Sequence, residues 1–163
     1  MAKAGGLVIK LASKQKEIDE VRKFASMAGS EEDEIDEMIK HDKVYLAQKH
    51  GSTIGFLALR LMKNGEVAEI SGLVVAESER RKGNASLLVK HAEELARTMK
   101  ANRVIVRTSN DNIPALALYQ KLGFRIAAVK LGVLVEHHGT EISGWEGIPV
   151  RDEVILEKSL SLT

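Results

Sequence analysis

Residues 69–85, Glu69-Ile70-Ser71-Gly72-Leu73-Val74-Val75-Ala76-Glu77-Ser78-Glu79-Arg80-Arg81-Lys82-Gly83-Asn84-Ala85, decide the fold. The first half is an apolar run of the kind a buried strand needs, and the second half is a basic loop that closes on glycine. Beyond Gly83 the apolar period becomes helical. Leu88, Ala92, Leu95, Ala96 and Met99 fall on one stripe that ends near Ala101 and Asn102. A strand therefore runs through a cationic turn into a helix that starts near Asn84. Such a junction attracts anions, because the first amides of a helix have no internal acceptor, the helix dipole adds positive charge, and glycine admits close approach. A phosphate-bearing ligand is expected. A P-loop would need Lys and then Ser or Thr after the glycine, where Asn84 and Ala85 stand, and a dinucleotide fingerprint would need three glycines.

Upstream, Leu7, Ile9 and Leu11 alternate as a short strand, and Ile18, Val21, Phe24 and Ala25 follow with helical spacing. A second helix is predicted from about Ser30 to His41, with Ser30 as N-cap and Asp33 at the capping-box distance. Three strands follow, at 43–49, 53–61 and 66–76. They are separated by His50-Gly51-Ser52 and by Lys63-Asn64-Gly65, where Asn-Gly is the stronger hairpin signal. Downstream, residues 103–108 read as a buried strand. A short helix is predicted over 113–122, with Asn112 as cap, Pro114 in its first turn and Gly123 as its stop. Strands at 124–135 and 149–156 would pair across a long loop holding His137, His138, Glu141 and Trp145. A strand-helix-strand unit inside an antiparallel meander gives a mixed α+β fold.

The chain has 163 residues, 44% of them hydrophobic, and only two prolines, so one domain without a linker is expected. There is no cysteine, which excludes disulfides, thiolate metal sites and a cysteine nucleophile. No apolar run near the N-terminus and no stretch of about 18 apolar residues is present, so a cytoplasmic, membrane-free protein is expected. The 24 basic and 23 acidic side chains argue against direct nucleic-acid binding. Charge is nevertheless segregated: Glu31, Glu32, Asp33, Glu34, Asp36 and Glu37 form an acidic block that reads either as a solvated helix face or as a partner surface. The adjacent His137 and His138 are too close for tetrahedral metal spacing, and no metal is predicted.

With these elements in place, the sequence resembles the GNAT superfamily of N-acetyltransferases. The family signature of Arg or Gln, two residues, Gly, one residue, then Gly or Ala is met by Arg80-Arg81-Lys82-Gly83-Asn84-Ala85. The segments Asn112-Ile113-Pro114-Ala115 and Tyr119-Gln120-Lys121-Leu122-Gly123-Phe124 resemble the second half of that fold. The resemblance is carried by residues 43–126. It implies a mostly antiparallel central sheet, flanked by helices, in which the two central strands splay apart and a bulge near Gly72 accompanies the opening. It implies acetyl-CoA as cosubstrate, with the pyrophosphate held by the turn of Arg80, Arg81, Lys82, Gly83, Asn84, Ala85 and Ser86 through the main-chain amides of about Arg81 to Ala85. The pantetheine arm would lie along Leu73, Val74 and Val75, with Asn112, Ala115 and Tyr119 as further contacts.

The same resemblance implies roles. Glu69 stands at the position of a catalytic base, the Leu73 amide would stabilise charge on the thioester oxygen, and Tyr119 would protonate the departing sulfur. Each has a plain structural alternative: a strand residue with a structural partner for Glu69, a packed aromatic for Tyr119, a simple N-cap for Asn112. The acceptor is expected to be an amine, and acidic walls at 31–37 and 136–145 would favour a cationic one. A protein lysine or N-terminal amine is the first expectation and a polyamine-like small molecule the second. A CoA-binding sensor without turnover is the rival class, and the resemblance also implies a homodimer formed through the late strands.

Overall fold

The computed structural model describes residues 2–4 and 6–160, so Met1 and Gly5, within the segment expected to hold no leader, lie outside the described residues. Residues up to Asn102 and those from Arg103 onward form two compact units, taken here in turn.

In the first unit five antiparallel strands follow one another in sequence order: β1 (Ala2–Ala4), β2 (Leu7–Leu11), β3 (Lys43–Lys49), β4 (Ser52–Met62) and β5 (Val67–Val75). The turn before β4 uses His50 and Gly51, and the turn before β5 uses Lys63, Asn64 and Gly65, all with positive φ, so both hairpins form where turn chemistry placed them. Three helices join them: α1 (Gln15–Met27), α2 (Glu32–His41) and α3 (Asn84–Thr98). Phe56 and Ala58 of β4 share a core with Val21 and Ala25 of α1 and with Ile35 and Met38 of α2.

The start of α2 differs from expectation. Its N-cap is Glu31, whose amide donates to Glu34 Oε2 at 3.2 Å, whereas the Ser30 amide is taken by the Ala25 carbonyl closing α1 at 3.1 Å. Ser30 thus belongs to the closure of α1, and the cap of α2 moves one residue on. At the end of α3, Lys100 adopts a left-handed φ of 64° and the Ala101 amide returns to the Ala96 carbonyl, a closure usually given to glycine, so the helix stops short of Ala101.

In the second unit β6 (Arg103–Ser109) and β7 (Arg125–Lys130) pair antiparallel on either side of β10 (Glu153–Ser159), while β8 (Ile142–Ser143) and β9 (Pro149–Val150) form a separate ladder. The helix α4 (Ile113–Lys121) is placed as expected. The predicted strand 124–135 is corrected: β7 ends at Lys130, Gly132 takes φ 74°, and α5 (Val133–His138) begins. Asp152 Oδ1 accepts the Gly132 amide at 2.9 Å and fixes that reversal. The predicted strand 149–156 is also broken, because Asn110 Oδ1 accepts the amides of Arg151 and Asp152 at 2.9 Å each and replaces a ladder there. Both units are antiparallel sheets with packed helices, the mixed α+β class expected.

Candidate functional site

Glu69, Leu73, Val74 and Val75 lie on β5, and residues 80–86 follow after a short turn, so the first unit carries the base candidate and the residues expected to hold the pantetheine arm and the pyrophosphate. Asn112, Ala115 and Tyr119 belong to the second unit, on α4 and its cap.

The turn expected to hold the pyrophosphate is built from main chain. A 3-10 turn at Glu77–Glu79 leads out of β5, Arg81 takes φ 61° and Gly83 takes φ 82° as N-cap of α3. No side chain caps α3 and its first turn holds no acid, whereas Glu17 and Glu34 close the starts of α1 and α2 and Asn112 caps α4. The first internal bond of α3 runs from the Leu87 amide to the Gly83 carbonyl, which leaves the amides of Asn84, Ala85 and Ser86 pointing out of the helix without an internal acceptor. A Cβ on Gly83 would meet no atom within 4 Å, so an anion can reach this main chain. These features fit a pyrophosphate.

Side chains hold the turn from beneath. Asn84 is buried and donates through Nδ2 to the Glu79 carbonyl at 2.8 Å, and Arg80 Nε donates to the Val75 carbonyl at 3.0 Å. Glu79 stands 3.5 Å from Lys82 and 3.6 Å from Lys49, so β3 adds a cation that the sequence did not single out. The Ala76 amide donates to the Ile54 carbonyl of β4. By strand alternation the main-chain groups of Val75 and Leu73 turn the other way, away from β4.

The predicted bulge is present. Ala58 pairs with Gly72 but Leu59 pairs with Ile70, leaving Ser71 without an opposite residue. Gly72 is required: a Cβ there would lie 2.8 Å from Phe56 Cε2 and 3.0 Å from Met38 Sδ. Glu69 is half-buried opposite Arg60, whose guanidinium holds its proton more tightly through its hydrogen bond to Asp42 and the charges of Asp42, Glu69 and Glu37.

In the second unit, Asn112 Oδ1 accepts the Ala115 amide at 3.2 Å, so the N-cap role is present. Tyr119 is buried with its ring edge-on to Phe124 at 5.3 Å, and burial pushes its phenol up, so the proton is held at neutral pH. His137 and His138 are exposed on α5 with rings 5.1 Å apart, and no group of three metal-ligating side chains occurs among the described residues. Glu141 pairs with Arg151 at 2.7 Å, which holds its carboxyl below the usual range, and the half-exposed Trp145 donates its amide to Asp111 Oδ2 at 3.0 Å. The acidic block lies on the solvent face of α2, with Arg22 of α1 bound to Asp36 at 2.7 Å and Glu32 at 3.4 Å. No helix among the described residues is long and apolar enough to cross a membrane.

The sequence profile described as Acetyltransferase (GNAT) family matches residues 13–124. The chain belongs to that family and is an acetyl-CoA-dependent N-acetyltransferase. It is 33% identical over 138 residues to an uncharacterized N-acetyltransferase of Bacillus subtilis, YvbK, a match covering 85% of this chain and 88% of the relative. A Bacillus subtilis acetyltransferase solved in complex with CoA superposes with a TM-score of 0.87 at 31% identity, covering 95% of this chain and 99% of its own. An IAA acetyltransferase from Bacillus cereus superposes with a TM-score of 0.83 at 29% identity, covering 94% and 99%.

Proposed function

We infer that this chain, acting as one acetyltransferase domain, transfers the acetyl group of acetyl-CoA directly to a primary amine of a cationic acceptor, a protein lysine or N-terminal amine first and a polyamine-like molecule second. The observation that carries the reading is the uncapped start of α3 behind Gly83. Hydrogen bonds to a charged group are worth about 1.5–3 kcal/mol each, so two or three of these amides suffice to anchor a pyrophosphate. Acetyl-CoA supplies the activated acyl thioester, and every other step falls to the chain.

A lysine amine stays protonated in water up to about pH 10, so a base must take its proton before attack. Glu69 takes that proton, directly or through a water. As the amine nitrogen bonds the acetyl carbon, the Leu73 amide, turned away from β4, donates to the thioester oxygen as charge develops there. The carbon–sulfur bond breaks, the Tyr119 phenol gives its proton to the sulfur, and the surplus proton on the acylated nitrogen passes through water to restore the phenol. The exposed carboxylates of α2 favour a cationic acceptor by steering rather than by fixed pairing.

The test is thiol release from acetyl-CoA over a panel of lysine peptides, N-terminal peptides and polyamines, with Glu69→Gln alongside. A fall of about 100-fold or more with Glu69→Gln, relieved as pH rises, is expected for a lost base. Equal turnover by Glu69→Gln across pH rejects the base, and preference for an acidic or neutral amine rejects the cationic acceptor.

A further inference from the structure

The bulge in β5 decides which face Glu69 occupies. Cross-strand partners share a face, so Glu69 goes with Arg60, Gly72 with Ala58, and Val74 with Phe56. That is the face covered by α1 and α2, since Phe56 and Ala58 belong to their core and Val74 packs against it. Leu73 pairs with Leu57 on the opposite face. In an unbroken strand Glu69 and Leu73, four residues apart, would share one face. Ser71 inserts the extra residue that separates them. Glu69 then turns toward the helices that carry the acidic residues while the Leu73 side chain turns away.

A bulge is a local kink with an unpaired residue, and something must hold it. Here Asp42, the residue that closes α2, does so with a side chain wholly removed from solvent. Asp42 Oδ2 accepts the Ser71 hydroxyl at 2.5 Å, and Oδ1 accepts Arg60 Nε at 2.5 Å. One carboxylate thus ties the extra residue of β5, the partner of Glu69 on β4 and the end of α2. A buried carboxylate is retained only when paired and hydrogen-bonded, and both oxygens are engaged here.

We propose that Asp42 is a positioning residue for acetyl transfer: by holding Ser71 and Arg60 it fixes the bulge that sets Glu69 and the Leu73 amide to their separate tasks. The inference rests on the roles given to Glu69 and Leu73 above.

Ser71→Ala removes the hydroxyl while leaving Asp42 paired with Arg60, Ser71→Thr restores it, and Asp42→Asn tests the same tie from the other end. The probes are CoA and acetyl-CoA, followed by calorimetry, by the nitrogen and proton shifts of the Leu73 amide, and by thiol release with spermidine and with polylysine. In wild type the Leu73 amide is expected to shift further with acetyl-CoA than with CoA. Ser71→Ala is expected to bind CoA within about twofold of wild type, because the phosphate turn is untouched. It loses the extra Leu73 shift, and kcat falls about tenfold with KM for acetyl-CoA unchanged, the pattern of an interaction made only in the transition state. Ser71→Thr recovers both. A wild-type Leu73 amide indifferent to the acetyl group overturns the mechanism and this inference with it. A Ser71→Ala chain that keeps the extra shift and full kcat overturns this inference alone and leaves Asp42 as a helix-to-sheet tie.

Discussion

Gly72→Ala offers the sharpest energetic check on the bulge. The added Cβ would sit 2.8 Å from Phe56 Cε2, 3.0 Å from Met38 Sδ and 3.3 Å from Ala58 Cβ. Carbon atoms rest about 3.5–4.0 Å apart, so the ring edge must yield by about 0.7 Å or the strand must open. Phe56 is only 1% exposed and cannot swing into solvent. Overpacking of this kind costs about 1–3 kcal/mol, which for a chain of this size lowers Tm by about 2–12 °C. Chemical and thermal denaturation of Gly72→Ala, Phe56→Leu and the double variant form a cycle. The smaller side chain makes room for the methyl, so the double variant should lose less than the sum of the singles, by about 0.5–3 kcal/mol. A loss below about 0.5 kcal/mol for Gly72→Ala, or strict additivity, would refute the close approach.

Three further outcomes follow from the same contacts. Asn84→Ala removes the bond to the Glu79 carbonyl beneath the phosphate turn; a loss of about 1–3 kcal/mol in urea denaturation is expected, with weaker CoA binding by calorimetry. Glu17 pairs with Lys10 and accepts the amides of Lys14 and Ser13, which lowers its pKa from 4.5 to about 2. Its folded value lies below the unfolded one, so its stabilisation is complete above pH 4.5 and drains away as pH falls toward 2; urea midpoints across that range should drop less steeply for Glu17→Gln. Tyr119→Phe should keep CoA affinity and lose turnover in single-turnover thiol release, and unchanged turnover would leave the tyrosine as packing against Phe124 alone.

What the chain made legible was local. The hairpins at 50–51 and 63–65 were readable because Gly51 and the Asn64-Gly65 pair leave a clear turn signal, and the start of α3 because Gly83 precedes a helical stripe. The bulge was implied by the family resemblance, and Gly72 within an apolar strand marked its place. The misreadings have physical causes. Ser30 is a fit N-cap in isolation, but it closes α1 through its amide, and the helix starts one residue later behind Glu31. The run from Phe124 to Val135 alternates well enough for one strand, while its break depends on Asp152, far along the chain. Nothing local marks Asp42, because its partners lie 18 and 29 positions away. Asn110 and Asp111 were invisible for the same reason, since their bonds reach 34 to 42 residues onward.

The most direct measurement follows the backbone amides of Gly83, Asn84, Ala85 and Ser86 by nitrogen-proton correlation spectra as CoA, and separately pantetheine, is added. Large shifts at these amides with CoA and none with pantetheine are expected if the uncapped start of α3 holds the pyrophosphate. CoA that binds while these four amides stay unmoved would contradict it.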